Sequence, residues 1–129
     1  MKKISYVRQI AERDCGISCL SSIIKYYGGY VKREYLREIT NTTREGVSLY
    51  SLKEGCTKLG IEAKAIQSDI KLLEKEVPFI AHILKDNLGH FVVISKITNK
   101  YITIMDPSCG IKKIDILKWN EITTNVYLL

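Results

Sequence analysis

The chain has 129 residues, 46% hydrophobic and 26% charged, enough for one domain whose core needs no metal or disulfide staple. Its net charge of +6 comes from 20 Lys and Arg scattered among 14 acids. No arginine-rich block or nucleic-acid motif occurs, so nucleic acid is not an expected partner, and a mildly basic surface suits an acidic peptide or anionic lipid better. No apolar run approaches the roughly 20 residues of a membrane span. Met1-Lys2-Lys3-Ile4-Ser5 has two lysines but lacks the apolar stretch of a secretory signal, which places the protein in the cytosol.

The first half reads as helical. Ile17, Leu20, Ile23, Ile24 and Tyr27 recur at helical spacing behind Asp14, the candidate N-cap, and Gly28-Gly29 ends the run. A short helix is expected from about Lys32 to Thr40. Ser48 caps a third helix with Leu49, Leu52, Cys56 and Leu59 on one face and Gly60 as its stop. Extended structure follows from Ile61 to Ile66, then a helical turn or two from Ile70 to Leu73. Val77 to Leu84, Phe91 to Ile97, Tyr101 to Met105 and Gly110 to Ile114 carry β-branched and aromatic residues between turn signals and read as strands. Lys118-Trp119-Asn120 suits a short helix or loop, and Val126 to Leu129 a closing strand. Helices first and antiparallel strands afterwards predict an α+β domain with the helices on one side of the sheet. Without repeats or linkers, residues 1–129 form a single domain, and the apolar ending Val126-Tyr127-Leu128-Leu129 suggests a domain cut from a longer polypeptide.

Four cysteines are present, Cys15, Cys19, Cys56 and Cys109, with neither zinc-ligand spacing nor a secretory context for disulfides. No metal or other cofactor is implied. Cys15 opens the first helix, where unpaired N–H groups and the peptide dipoles favour a thiolate. Gln9, six residues upstream, can fold back and donate a hydrogen bond to a developing oxyanion. Cys19, one helical turn on, reads as buried core filler, with a redox partnership to Cys15 as the lesser alternative.

Two histidines could partner the thiol. His90 follows Gly89 and opens a strand, at the rim of the sheet, whereas His82 lies inside an apolar strand between Ala81 and Ile83 and reads as structural. With Thr98-Asn99-Lys100 as the hairpin loop, Ile97 faces Tyr101 and Val92 faces Asp106. His90 and Asp106 then share one face as diagonal neighbours, roughly 7–8 Å apart at the backbone. A slip by one residue would put them on opposite faces. Pro107 ends the ladder and leaves the carboxylate at the strand end, while Asp115 lies too far past the turn. These residues suit a cysteine hydrolase: Cys15 as nucleophile, His90 as proton carrier, Asp106 as its orienting carboxylate, and Gln9 with the Cys15 N–H as oxyanion hole.

Gln9…Asp14-Cys15-Gly16…Cys19-Leu20, Gly46-Val47-Ser48-Leu49…Leu52, Pro78, His90-Phe91-Val92-Val93 and Asp106-Pro107 resemble the leader-peptidase domain of bacteriocin-exporting ABC transporters, a papain-like cysteine peptidase family. The resemblance implies cleavage of a precursor peptide after a double-glycine-type leader end at the cytoplasmic face of the membrane, coupled to export. It assigns Cys15, His90 and Asp106 as the triad and Gln9 to the oxyanion. It also implies two kinds of partner: a precursor whose amphipathic leader helix docks in a groove, and the transmembrane and ATPase domains of a parent transporter. Tyr26, Tyr30, Tyr35, Leu36 and Tyr50 are candidates for that groove. Competing readings are a leader-binding module that does not cut, a papain-like acyl or amide transferase, and a redox protein using Cys15 and Cys19.

Overall fold

Three helices, α1 (Cys15–Tyr26), α2 (Arg33–Ile39) and α3 (Leu49–Lys58), precede the strands in a computed structural model of the chain. It describes residues 3–129; Met1 and Lys2, part of the segment read as no secretory signal, lie outside the described residues. The strands are β1 (Ala65–Gln67), β2 (Phe79–Lys85), β3 (Leu88–Ile97), β4 (Tyr101–Asp106), β5 (Gly110–Asp115) and β6 (Thr123–Leu128), with α4 (Ile116–Ile122) between the last two. They form one antiparallel six-stranded sheet in the order β1-β6-β2-β3-β4-β5. No described helix is long and apolar enough to cross a membrane.

The alternation of β3 divides the core. Phe91 and Val93 join Ile80 and Met105 against Ile17 and Leu20 of α1, Leu36 of α2 and Leu52 of α3. Val92 and Ile94 join Ile102, Ile104 and Tyr127 on the other face, covered by Trp119 of α4 and by Ile70 and Leu73 of the 3-10 segment Ile70–Glu76. The expected α+β domain is therefore present, but the sheet is covered on both faces rather than one. Burying each such side chain is worth roughly 1.5–3 kcal/mol, so Trp119 and Ile70 supply a second core that local spacing could not orient. Leu36 belongs to the first core at 1% exposure, which removes it from the candidate docking residues, whereas Tyr30, Tyr35 and Tyr50 are exposed.

The helix ends follow their local chemistry. Ser48 Oγ accepts from Ser51 N–H at 3.0 Å, as expected for the cap of α3. Gly28, at φ +89°, turns the chain out of α1 while its N–H bonds Lys25 O at 3.0 Å. One expectation is narrowed and one fails. Within the extended stretch Ile61 to Ile66, the Ile61 N–H closes α3 on Cys56 O at 2.8 Å, Lys64 exchanges backbone hydrogen bonds with Leu129 at 3.0 and 2.9 Å, and the strand β1 begins at Ala65. Asp14 makes no cap hydrogen bond to α1. It sits in a 3-10 turn (Glu12–Asp14), and its carboxylate accepts from Ala11 N–H at 3.3 Å and from Arg37 of α2.

The β3–β4 hairpin departs from the sequence reading at its tip and rejoins it at the site. Ile97 pairs with Ile102, not Tyr101, and Thr98 N–H bonds Tyr101 O at 2.9 Å, so the loop is Asn99-Lys100 alone. An irregularity between Ile94 and Lys96 then absorbs Ser95 as an extra residue and shifts the register to Ile94–Ile104 and Val93–Met105. Continuing that register sets Val92 against Asp106, as expected. The tip is one residue shorter than the sequence suggested, and the bulge at Ser95 compensates.

Candidate active site

The positive end of α1 opens at Cys15, which is 8% exposed at the rim of a cleft. Gly16 lets the helix start lie close against the loop before α3, because a Cβ there would collide with Val47 Cγ1. β3 brings His90 and the end of β4 brings Asp106, both buried. His90 Nε2–H donates to Asp106 Oδ1 at 2.7 Å, and Cys15 lies beside the His90 ring in the same cleft. With Nε2 occupied, Nδ1 is the nitrogen left for the thiol. Cys15, His90 and Asp106 thus form one line of contacts, joined from α1, β3 and β4.

The carboxylate is held on several sides. Ser108 donates to Asp106 Oδ1 from its N–H at 2.9 Å and its hydroxyl at 2.6 Å, a turn in which the aspartate binds backbone two residues on. Lys85 Nζ donates to the other oxygen, Oδ2, at 3.1 Å and to Ser108 Oγ at 2.5 Å. Burial alone would raise the Asp106 pKa, but hydrogen bonds from His90 and Ser108 and the His90 charge hold it well below the usual carboxylate range. Burial likewise disfavours a charged His90, yet hydrogen bonds to Asp106 and Cys15 and their negative charges push it up to about 9. An imidazolium at neutral pH is the consequence.

Gln9 reaches the site on the N-terminal strap. Its N–H donates to Pro107 O at 2.9 Å, which ties the strap to the turn after Asp106, and its side-chain oxygen is buried without a hydrogen-bond partner. Arg33 fixes the strap from outside, donating to Arg8 O at 2.8 Å and to Ser18 Oγ of α1 at 3.1 Å. The buried Asp14 receives Arg37 at 3.0 and 2.6 Å and faces Arg33 at 3.6 Å. The residue before the thiol is therefore bolted to α2.

The remaining sequence candidates fall outside this line. His82 stands in the cleft wall, its ring edge-on to Phe91 at 5.1 Å and its Nδ1 bonded to Thr124 Oγ1 at 3.1 Å. Because the Thr124 hydroxyl also bonds His82 O at 3.0 Å, it accepts from the ring, so Nδ1 is the protonated nitrogen. Burial, and then the charge of His90, lower the His82 pKa. Cys19 is fully buried, and burial pushes its thiol up, aided by the charges of Cys15 and Asp106, in keeping with the core-filler reading. Asp115 caps α4 through Leu117 N–H at 2.8 Å, away from His90. Among the described residues no cluster of His, Cys, Asp or Glu could hold a metal. Sequence reasoning missed Lys85 and Ser108. Asp-Pro-Ser carries a turn signal that could have found the serine, whereas Lys85 lies 21 residues from its partner and left no local trace.

The cleft has a volume of about 510 Å³ and runs past Cys15 and His90 between the loop at Arg44–Val47 and the tip of the β2–β3 hairpin. A thiol at a helix start, in contact with an imidazole that a buried carboxylate orients, is the constellation of a cysteine hydrolase. The chain belongs to the Peptidase C39 family, whose model matches residues 3–129. It is 36% identical over 132 residues to the lactococcin-G-processing and transport ATP-binding protein LagD of Lactococcus lactis, a match covering 99% of this chain and 18% of that protein. It is 34% identical over 114 residues to the transport/processing ATP-binding protein ComA of Streptococcus pneumoniae, covering 85% of this chain and 16% of ComA. The chain thus spans under a fifth of the length of these curated relatives.

Solved structures agree on the fold. The peptidase domain of Streptococcus ComA superposes with a TM-score of 0.90 at 30% identity, covering 100% of this chain and 97% of that one. A double glycine motif protease from an AMS/PCAT transporter, solved in complex with the leader peptide, gives 0.89 at 28% identity, covering 99% and 91%.

Proposed function

We propose that this chain is a cysteine endopeptidase that removes the leader from a bacteriocin-type precursor peptide after a double-glycine-type end, as the N-terminal part of an ABC transporter that exports the product. The single observation that carries the catalytic reading is the continuous contact from Cys15 through His90 to Asp106. Membership of the C39 family, and relatives whose names join peptide processing to transport, support the substrate class and the parent transporter.

In this reading the Cys15 thiolate attacks the scissile carbonyl carbon, and the carbonyl oxygen takes up the charge. The Gln9 side-chain amide and the Cys15 N–H stabilise that oxyanion, each donor being worth about 3 kcal/mol. Collapse breaks the C–N bond as His90 gives its proton to the leaving amine, and the leader remains on Cys15 as a thioester. Water then attacks, His90 takes its proton, and the leader leaves as a carboxylate while the thiolate–imidazolium pair re-forms. Asp106 keeps Nδ1 of the ring directed at the sulfur throughout. Two glycines fit a cleft wall this near the helix start, because they bring no Cβ and let the chain lie against the sulfur. The rest of the leader supplies affinity as an amphipathic helix laid in an apolar groove.

The test is incubation of the chain with a double-glycine precursor under reducing conditions, with products weighed by mass spectrometry. A single cut after the second glycine, absent in Cys15→Ala, is the expected result. Intact precursor bound to wild-type protein would instead establish the alternative, a leader-binding domain without proteolysis. Cleavage at a transporter's cytoplasmic face belongs to the same proposal and is checked in the full-length protein.

A further inference from the structure

Asp106 has two oxygens, and the mechanism above uses one. Oδ1 takes His90 and Ser108, while Oδ2 takes the ammonium of Lys85 at 3.1 Å. Lys85 stands on β2 and Asp106 on β4, so its side chain reaches across β3, the strand that carries His90. Ile83 pairs with His90 and Lys85 with Leu88, which puts Lys85 and His90 on one face of the sheet. Asp86 and Asn87 follow with φ of 52° and 64°, the two-residue turn that both residue types tolerate, and this pins Lys85 as the last residue of its strand. Its side chain is 39% exposed and that of Asp106 2%, so the lysine lies over the solvent side of the carboxylate. A second bond, to Ser108 Oγ, fixes where the ammonium sits.

We propose that Lys85 is a positioning residue of this catalytic site, a clasp on Asp106 Oδ2 that sets the orientation and the effective charge of the carboxylate beside His90. His90 and Ser108 hold the carboxylate through Oδ1 alone; Lys85 holds the second oxygen, so that turning about the Cβ–Cγ bond also costs an ion pair. The same ammonium offsets part of the negative potential that favours a protonated His90. Other groups also act on this pair. Cys15 of α1 and His82 of β2 act on His90 by charge, and Cys19 of α1 lies within reach of the Asp106 charge. Glu12, Arg13, Arg44, Glu45 and Asp86 line the same cleft. Among the described residues only His90 and Lys85 form an ion pair with Asp106.

The inference rests on the peptidase reading for its catalytic meaning, and its test does not. The side-chain nitrogens of the two histidines are titrated by NMR in wild type, Lys85→Gln and Lys85→Arg, with His82→Gln assigning the signals. Lys85→Gln is expected to move the His90 midpoint upward by roughly half a pH unit or more, the size expected for a half-screened charge at this range. Lys85→Arg restores the wild-type midpoint. An unmoved His90 midpoint in Lys85→Gln, with its amide spectrum otherwise native, would overturn the proposal. In the cleavage assay the basic limb of kcat/KM is expected to follow the same shift. Should wild type cut no precursor, the peptidase reading fails while the titration still decides the role of Lys85.

Discussion

Replacing Asp106 by Asn isolates the charge of the carboxylate from its shape. The amide oxygen can still accept from His90 Nε2 and from Ser108, but the amide nitrogen would meet the Lys85 ammonium, donor against donor, where Oδ2 now accepts. Raising an imidazole from 6.5 to about 9 corresponds to a free-energy difference on the order of 3 kcal/mol, and Asp106 supplies a large share of it. With the charge gone, burial is opposed by Cys15 alone, and the His90 midpoint should fall from about 9 toward 6.5. At a midpoint of 6.5, roughly a tenth of the molecules would hold the imidazolium at pH 7.5. That population effect costs about tenfold in kcat/KM, and loss of a well-poised general acid extends it to roughly 10²–10³-fold. The assay is kcat/KM for a double-glycine peptide between pH 5 and 10, where wild type is expected to lose activity through about pH 9 as His90 gives up its proton. If Asp106→Asn kept both that basic limb and near-wild-type kcat/KM, the assignment of the carboxylate would be wrong.

Stability should follow the same pair. His90 is raised, so its contribution is complete below 6.5 and is lost as pH climbs through about 9. Asp106 is depressed, so its contribution is complete above the usual carboxylate range and fades only in strong acid. Thermal melts should therefore show both contributions in full between roughly pH 5 and 6.5, and Asp106→Asn should flatten the alkaline decline. Gly16→Ala should cost about 1–3 kcal/mol in denaturant melts, since its Cβ must displace Val47, and should lower kcat by disturbing the start of α1. Arg37→Ala strips the buried Asp14 of its bidentate partner, leaving Arg33 at 3.6 Å, and should destabilise by roughly 2–4 kcal/mol. In Asp14→Asn with Arg37→Ala the loss should be smaller than the sum of the single changes, as a double-mutant cycle would read.

The catalytic candidates were legible because their chemistry is tied to local signals. Cys15 stands where an apolar helical period begins, His90 directly before the apolar run Phe91 to Ile94, two residues inside β3, and Asp106 directly before the proline that ends another strand. Those punctuation marks depend on backbone physics within a few residues, and the sequence determined them, together with the α1–α3 and β2–β5 elements. Gln9 was legible only through its distance from the thiol, and the structure adds the strap bond to Pro107 that holds it there.

Tertiary structure decided what local chemistry leaves degenerate. Asp14 has the residue type and place of a helix cap, yet Arg37 of α2 offers its carboxylate two charge-assisted bonds that a helix N–H cannot match, with Arg33 an ion pair at 3.6 Å, and it turns to them. The hairpin register at His90 came out as expected only because Ser95 bulges and offsets a tip one residue shorter, a choice made by the packing of Ile94 and Ile104 below it. Which face of the sheet α4 covers, and the reach of Lys85 over β3 to Asp106, depend on strands far apart in the chain meeting side by side. Sequence spacing carries the period of an element and the chemistry of its ends; which oxygen meets which ammonium is settled only when the sheet has closed around them.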